Sequence, residues 1–278
     1  MKQKYLLIPA CCALLLSVSG CAGSKDEEPT VAASGQTESD NLYNKASAAM
    51  DEGSYVTAAG LFEDVERQFP YSKWAIRAEI MSAYAYYKGK RYDEAVLALD
   101  RFIDLHPGND DVDYAYYLRA LCFYEQISDV SRDQAMTEEA LSNLDTLVRR
   151  FPDSKYSREA RYKRDLTLDH LAGKDMDIGR YYLTRGHVNA AINRFRSVVM
   201  DYQTTTHIPE ALHRLVESYL TLGLKGEATR VAAVLGHNYP GSKWYEATYK
   251  LLDPQQRQKI LEERSWIDRT VESLFNPN

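Results

Sequence analysis

The stretch AINRFRSVVMDYQ, residues 191–203, decides the fold, because four other stretches repeat its pattern. AAGLFEDVERQFP (58–70), AVLALDRFIDLHP (95–107), ALSNLDTLVRRFP (140–152) and ATRVAAVLGHNYP (228–240) each open on alanine. All but the 191–203 stretch close on proline twelve residues later. Four residues after the alanine come Phe62, Leu99, Leu144, Phe195 and Ala232; seven after it, Val65, Phe102, Leu147, Val198 and Leu235. At eleven come Phe69, His106, Phe151, Tyr202 and Tyr239. Spacings of four and seven mark one face of an α-helix, so the same amphipathic helix is written five times.

The steps between units are 37, 45, 51 and 37 residues, close to a tetratricopeptide repeat of roughly 34 residues plus insertions. A first helix ends near Gly53, Gly89, Gly186 and Gly223, where glycine can close the last turn in the left-handed conformation. The second helix carries the small alanine, which lets the pair approach closely. Proline after Phe69, Phe151 and Tyr239 disfavours helical geometry at those residues. The phrase Pro-x-Ser-Lys-Trp/Tyr follows at Pro70–Trp74, Pro152–Tyr156 and Pro240–Trp244, its serine placed to cap the next first helix.

The expected architecture is all-α: a tetratricopeptide-repeat solenoid of five helical hairpins with a C-terminal helix. Repeats one to three occupy 40–157, repeats four and five 158–252, and the terminal helix 253–278. Ile127–Thr137 is polar and is expected to loop out of repeat three. Ser157–Arg185 lacks proline and reads as one long first helix, kinked around Gly173.

Residues 1–20 stand outside this fold. Lys2 and Lys4 form a positive end, Leu6–Val18 is an apolar run, and small residues lead to Cys21. That is a secretory signal, too short and too poorly flanked for a membrane span. Val18-Ser19-Gly20-Cys21 resembles a bacterial lipobox. The resemblance implies cleavage before Cys21, a diacylglyceryl thioether on its sulfur and a further acyl chain, such as palmitate, on the new amino terminus. Ala22 follows where lipoproteins kept at the inner membrane often carry aspartate, so the pattern points to the outer membrane. Several chains anchor stably where one is marginal. Ala22–Ser39 lacks aromatics and is rich in Ser, Gly, Ala, Glu and Asp. It is expected to be a disordered tether with a typical reach of roughly 23 Å.

Cys11 and Cys12 leave with the signal and Cys21 is lipidated, so Cys122 remains alone, within the apolar Ala120–Tyr124 run. A buried structural thiol is the simpler reading there. The chain carries a formal net charge of −6. An acidic chain without a basic stripe is a poor nucleic-acid binder. The six histidines (His106, His170, His187, His207, His213 and His237) are scattered, without a His-Glu-x-x-His motif. No metal or cofactor is expected beyond the covalent lipid on Cys21. No catalytic constellation is legible, and the expectation is a binding protein, not an enzyme.

Tyrosine is concentrated in two first helices, at Tyr84, Tyr86 and Tyr87 and at Tyr114, Tyr116, Tyr117 and Tyr124. Tyrosine joins apolar area to a polar tip, which suits a groove for extended peptides. Packing between helices is the alternative, and 84/87 and 117/124 have core-like spacing. Ile260, Ile267, Val271 and Leu274 keep helical spacing in the terminal segment. That segment either caps repeat five or offers Trp266 and Phe275 to a partner.

The lipobox, the tether, the five repeats and the Phe-Pro-x-Ser phrases together resemble the BamD family, the tetratricopeptide lipoproteins of the outer-membrane β-barrel assembly machine. The closest tract is Ile178–Gly186 followed by Ala190–Phe195, with its Tyr-Tyr-x-x-Arg-Gly phrase and Asn-Arg pair. The resemblance covers nearly all of Cys21–Asp253. It implies that the last two repeats bind the barrel-forming, BamA-like subunit of a complex at the periplasmic face of the outer membrane. Unfolded outer-membrane β-barrel proteins would bind the first three. Asn193 and Arg194 match the family's pair and are expected at the partner contact, with Arg180 and Arg185 beside them; pairing with local acids is the alternative. The candidate peptide groove is Tyr84, Tyr86, Tyr87, Tyr116 and Tyr117. A periplasmic repeat adaptor that couples peptidoglycan synthesis to envelope constriction shares the Phe-Pro-x-Ser phrases. It usually has a coiled coil and a non-lipid signal instead.

Overall fold

The computed structural model describes residues 31–258 and 260. Eleven helices follow one another, with no strand among the described residues. Five hairpins form in chain order: α1 (Val31–Asp51) with α2 (Tyr55–Gln68), α3 (Ala75–Lys88) with α4 (Tyr92–Leu105), and α5 (Val112–Tyr124) with α6 (Ala135–Arg150). The last two are α7 (Ser157–Thr184) with α8 (Val188–Asp201), and α9 (Ile208–Thr221) with α10 (Lys225–Asn238). A short α11 (Lys243–Leu251) comes after them. Each helix packs on its predecessor and its successor, as a solenoid requires.

All five repeat alanines are fully buried, and so are Phe62, Leu99, Leu144, Phe195 and Ala232 four residues on. The eleventh residue ends every second helix in the same way. The amide N–H groups of Phe69, His106, Phe151, Tyr202 and Tyr239 donate to the carbonyls of Val65, Phe102, Leu147, Val198 and Leu235. Tyr202 does this before Gln203, so the stop does not depend on proline. His106 uses its ring as well, with Nε2 3.1 Å from the buried carboxylate of Glu79.

The serine phrase behaves differently from expectation. Only Ser242 accepts from a first-turn amide as a true cap, from Trp244. Ser154 accepts from Tyr156, the residue before α7, while its hydroxyl donates to Asp113 at 2.6 Å. In these units a tight turn stands between proline and helix. Ser72 N–H donates to Phe69 and Ala75 N–H to Ser72, which leaves the serine backbone, not its hydroxyl, to close the connection. Gly53, Gly186 and Gly223 have φ of +76°, +77° and +73°, but in the second unit Lys90 takes the left-handed place expected of Gly89.

Two boundaries differ from the sequence reading. Helix α1 begins at Val31, so Val31–Ser39 is helical where a tether was expected. Extending a helix already nucleated by the packed 40–51 segment is cheap, even for polar residues. The remainder of the tether, the lipobox and the signal lie outside the described residues. The insertion in repeat three is a loop over residues 127–134, but one tied to a neighbouring helix. Lys174 Nζ donates to the carbonyls of Ser131 (2.8 Å) and Arg132 (3.1 Å), which pins it to α7. Thr137 is already inside α6 and buried. The long first helix is present, 28 residues without interruption through Gly173. Gly173 is a close-approach site: a Cβ there would lie 3.3 Å from His207 Nε2.

The carboxy-terminal end holds more than a single helix. Within 158–252, α11 follows the fifth hairpin and packs on α9 and α10. A helical stretch then starts at residue 254, opened by a capping box. Asp253 N–H donates to Gln256 Oε1, and Gln256 N–H to Asp253 Oδ1. Ile260 and Leu252 are buried with Val216, Ala228 and Ala232, so this stretch begins as a cap. Trp266, Ile267, Val271, Leu274 and Phe275 lie outside the described residues.

His213 ties α9 to α11 through Nδ1 and Thr248 Oγ1, 2.8 Å apart. Burial holds its imidazole below the usual histidine range, Glu217 opposing and Arg214 reinforcing. A group depressed in the folded chain binds fewer protons there than when unfolded. Its contribution is complete above about pH 6.5 and is lost as the pH falls below that. The melting temperature is expected to drop between about pH 7.5 and pH 5.5, and to drop less in His213→Leu. Equal pH dependence in both chains would remove His213 as the cause.

Candidate partner-binding surface

Helix α8 presents one face to the core and the next two residues to solvent. Ile192 and Phe195 are buried, whereas Asn193 and Arg194 between them are exposed. The inward fit is tight, because a Cβ on Gly179 of α7 would lie 2.4 Å from the Phe195 ring. Glycine at 179 therefore sets the spacing of α7 and α8, and with it the position of the Asn193–Arg194 pair.

Arg194 NH1 lies 2.9 Å from Asp175 Oδ1 on α7; its side chain remains 46% exposed, against 14% for the aspartate. The pair borders a cleft of about 710 Å³ between α7, α8 and the repeat-three insertion, with Lys174, Ile178, Tyr202 and Glu138 on its walls. A half-open guanidinium held by a nearly buried carboxylate keeps donors for a second acceptor. Asp175 was not legible as part of the site: it lies 19 residues from Arg194, and nothing in the repeat pattern marks it.

The other two arginines stand elsewhere. Arg180, five residues on from Asp175, is about 140° further round α7 and pairs with Asp177 at 2.5 Å and Glu210 at 3.2 Å. Arg185 sits in the turn after α7, its guanidinium 5.3 Å from the Tyr181 ring centroid. The structure thus keeps Asn193 and Arg194 together and separates Arg180 and Arg185 from them. Both Arg180 and Arg194 pair with local acids, the alternative reading of this tract.

The tyrosines divide as well. Tyr116 and Tyr117 are 8% and 7% exposed and belong to the core, so they do not line a groove. The Tyr116 hydroxyl accepts from Arg150 NH1 at 2.7 Å, and Tyr117 stacks on Tyr156 at 5.1 Å. Both lie on a helix buried nearly all round, with Ala115, Leu118, Ala120 and Leu121 also buried. Tyr84 and Tyr87 are half-buried and stack 6.4 Å apart. Burial pushes the Tyr87 hydroxyl up to about 12. Tyr86 points away from them, its hydroxyl donating to Glu63 of α2 at 2.9 Å. Tyr84 and Tyr87 share a face, and both, like Tyr86, also pack against the core cluster.

Cys122 is fully buried, and burial raises its thiol to about 12, which suits a structural residue rather than a nucleophile. Among the described residues no three His, Cys, Asp or Glu side chains converge as metal ligands.

Residues 35–235 match the family described as YfiO, outer membrane lipoprotein. The match stops inside α10, short of α11 and the segment after it. Over 237 residues the chain is 50% identical to the outer membrane protein assembly factor BamD of Caulobacter vibrioides, covering 85% of this chain and 77% of that one. It is 44% identical over 250 residues to the protein of the same name from Rickettsia prowazekii, covering 90% and 98%. With the Neisseria meningitidis serogroup A protein of that name it shares 33% over 250 residues, covering 86% and 93%. Among solved structures, the P58(IPK) TPR domain matches at a TM-score of 0.39 and 15% identity, covering 85% and 67%.

Proposed function

We propose that this chain, which belongs to the YfiO family of outer membrane lipoproteins, is an outer membrane protein assembly factor that works as a scaffold. The family match running from the first hairpin into the last helix of the fifth carries this reading. Assembly-factor relatives and a repeat fold point to a role without catalysis.

The finer reading is a division of labour along the solenoid. The lipid on Cys21 holds the chain to the outer membrane on its periplasmic side. The fourth hairpin docks the barrel-forming, BamA-like subunit through Asn193 and Arg194. What supports this is the exposure of both residues on α8 and the open half of the Arg194 guanidinium. An acidic side chain of the partner would share that guanidinium with Asp175, by the bidentate geometry arginine favours. Unfolded β-barrel chains meet the half-buried Tyr84 and Tyr87 face of repeat two, where stacking area serves many sequences.

Affinity purification from detergent-solubilised envelopes tests the reading. A β-barrel protein with periplasmic repeat domains is expected to co-purify, and the scaffold reading fails if none does. Arg194→Ala is expected to reduce its recovery about tenfold, as a mid-sized interface anchor would, with the melting temperature unchanged. Recovery equal to the parent's would move the contact away from α8.

A further inference from the structure

The groove between α8 and α10 is lined mainly by aliphatic side chains, where its counterpart between α2 and α4 mixes charged and apolar ones. Val199, Met200, Leu215, Tyr219, Val231 and Val234 line a cleft of about 310 Å³ floored by α9. Met200 is 63% exposed and Val234 47%. Nine residues after the repeat alanine, where α8 has Met200, helices α2, α4 and α6 have Arg67, Asp104 and Arg149. Six residues after it, where α10 has Val234, helices α4, α6 and α8 have Arg101, Thr146 and Ser197. The matching groove between α2 and α4 is lined by Glu63, Glu94 and Arg101 together with Tyr86, Leu97 and Ala98. The apolar surface therefore belongs to this pair of units and is no consequence of the repeat.

We propose that the chain's own carboxy-terminal segment, residues 261–278, seats in this groove. Ile260 is buried in a cluster against which Tyr219 and Val231 also pack, and those two side chains line the groove. The chain thus leaves the described residues beside it. Ile267, Val271, Leu274 and Phe275 follow at spacings of four, seven and eight, one face of a helix. Residues 261–278 carry four acids, Glu262, Glu263, Asp268 and Glu272, against two arginines, Arg264 and Arg269; the groove's rim carries Arg196 and Arg230 with Glu227, which pairs with Arg230. Seven residues from Ile260 to Ile267 span up to about 23 Å extended, twice the width of a helix of about 10–12 Å. That length carries the chain over α10. Residues 267–275 then supply about two helical turns, roughly 12 Å, to lie along the cleft.

A cross-link in the full-length chain, in isolated membranes, tests this. Under mild oxidation Met200→Cys/Leu274→Cys is expected to form a disulfide within one chain, identified by mass spectrometry, whereas Leu97→Cys/Leu274→Cys is expected to form none. Deleting 262–278 is expected to raise the rate of Met200 oxidation by peroxide several-fold. Absence of the first disulfide overturns the proposal, and so does its equal formation in the control pair. A disulfide joining two chains assigns the groove to a second copy and overturns it too. The cross-link needs no deletion, so it stays decisive if the shortened chain fails to fold.

Discussion

Phe195→Ala is expected to lower the unfolding free energy by about 3–5 kcal/mol, the range for emptying a fully buried phenylalanine site. The ring has no exposed surface and stands against Gly179, at whose Cβ position its edge approaches to 2.4 Å. The converse change fills space that does not exist. Gly179→Val is expected to destabilise by about 1–3 kcal/mol or more, because neither a buried ring nor the α7 backbone can retreat. Urea unfolding followed by circular dichroism measures both. In a solenoid each unit leans on its neighbours, so hydrogen exchange should quicken first in α7–α10. A Gly179→Val chain as stable as its parent would show that α7 and α8 can separate, and Asn193 and Arg194 would then lack a fixed seat.

Cys21→Ser is expected to move the chain from the membrane fraction to the soluble periplasm. On the proposed lipobox processing the thioether would carry the diacylglyceryl group and precede the amino-terminal acylation, so one substitution would remove every chain. Each buried methylene contributes about 0.8 kcal/mol, and no helix among the described residues is long and apolar enough to cross a membrane. Fractionation of wild-type and variant envelopes measures it. A variant that stays wholly with the membrane would refute the lipid anchor and leave partner binding as the means of attachment.

The two predictions differ in how they could be reached. Phe195 was marked by its place in a fivefold pattern, because a position that is apolar in every unit must face a neighbour. Gly179 was invisible in that pattern. Its role depends on how closely α7 approaches α8, and one chain's sequence does not contain that distance. The same division separates the tyrosines. Helical period identified Tyr117 as a packing candidate, yet it could not tell that Tyr86 turns to Glu63 while Tyr84 and Tyr87 stack. Arg180 and Arg194 looked alike as members of one basic tract. Asp175 on α7 and Glu210 on α9 hold them apart.

The amino-terminal boundary teaches a related lesson. Composition marked Ala22–Ser39 as too polar to fold by itself, and that reasoning holds for an isolated segment. Next to a packed helix the accounting changes, since Asp40 is already held by Trp74 and Lys73 and Ser39 is buried. The helix runs back to Val31 without a second nucleation. The repeat-three insertion likewise looked solvent-bound until Lys174, more than 40 residues away in sequence, was found on its carbonyls.

By itself the sequence determined the five hairpins, the alanine seams, the common helix ending and the long span of α7, though it placed a kink at Gly173 where the helix runs on. Periodicity and local turn chemistry encode which side of a helix meets its neighbour and where that helix stops. Only the tertiary structure decided which charges pair across helices, which tyrosines remain accessible and which groove is left apolar. Those outcomes depend on the small rotation from each hairpin to the next, and that rotation is set by the sum of many packed side chains rather than by any one unit's pattern.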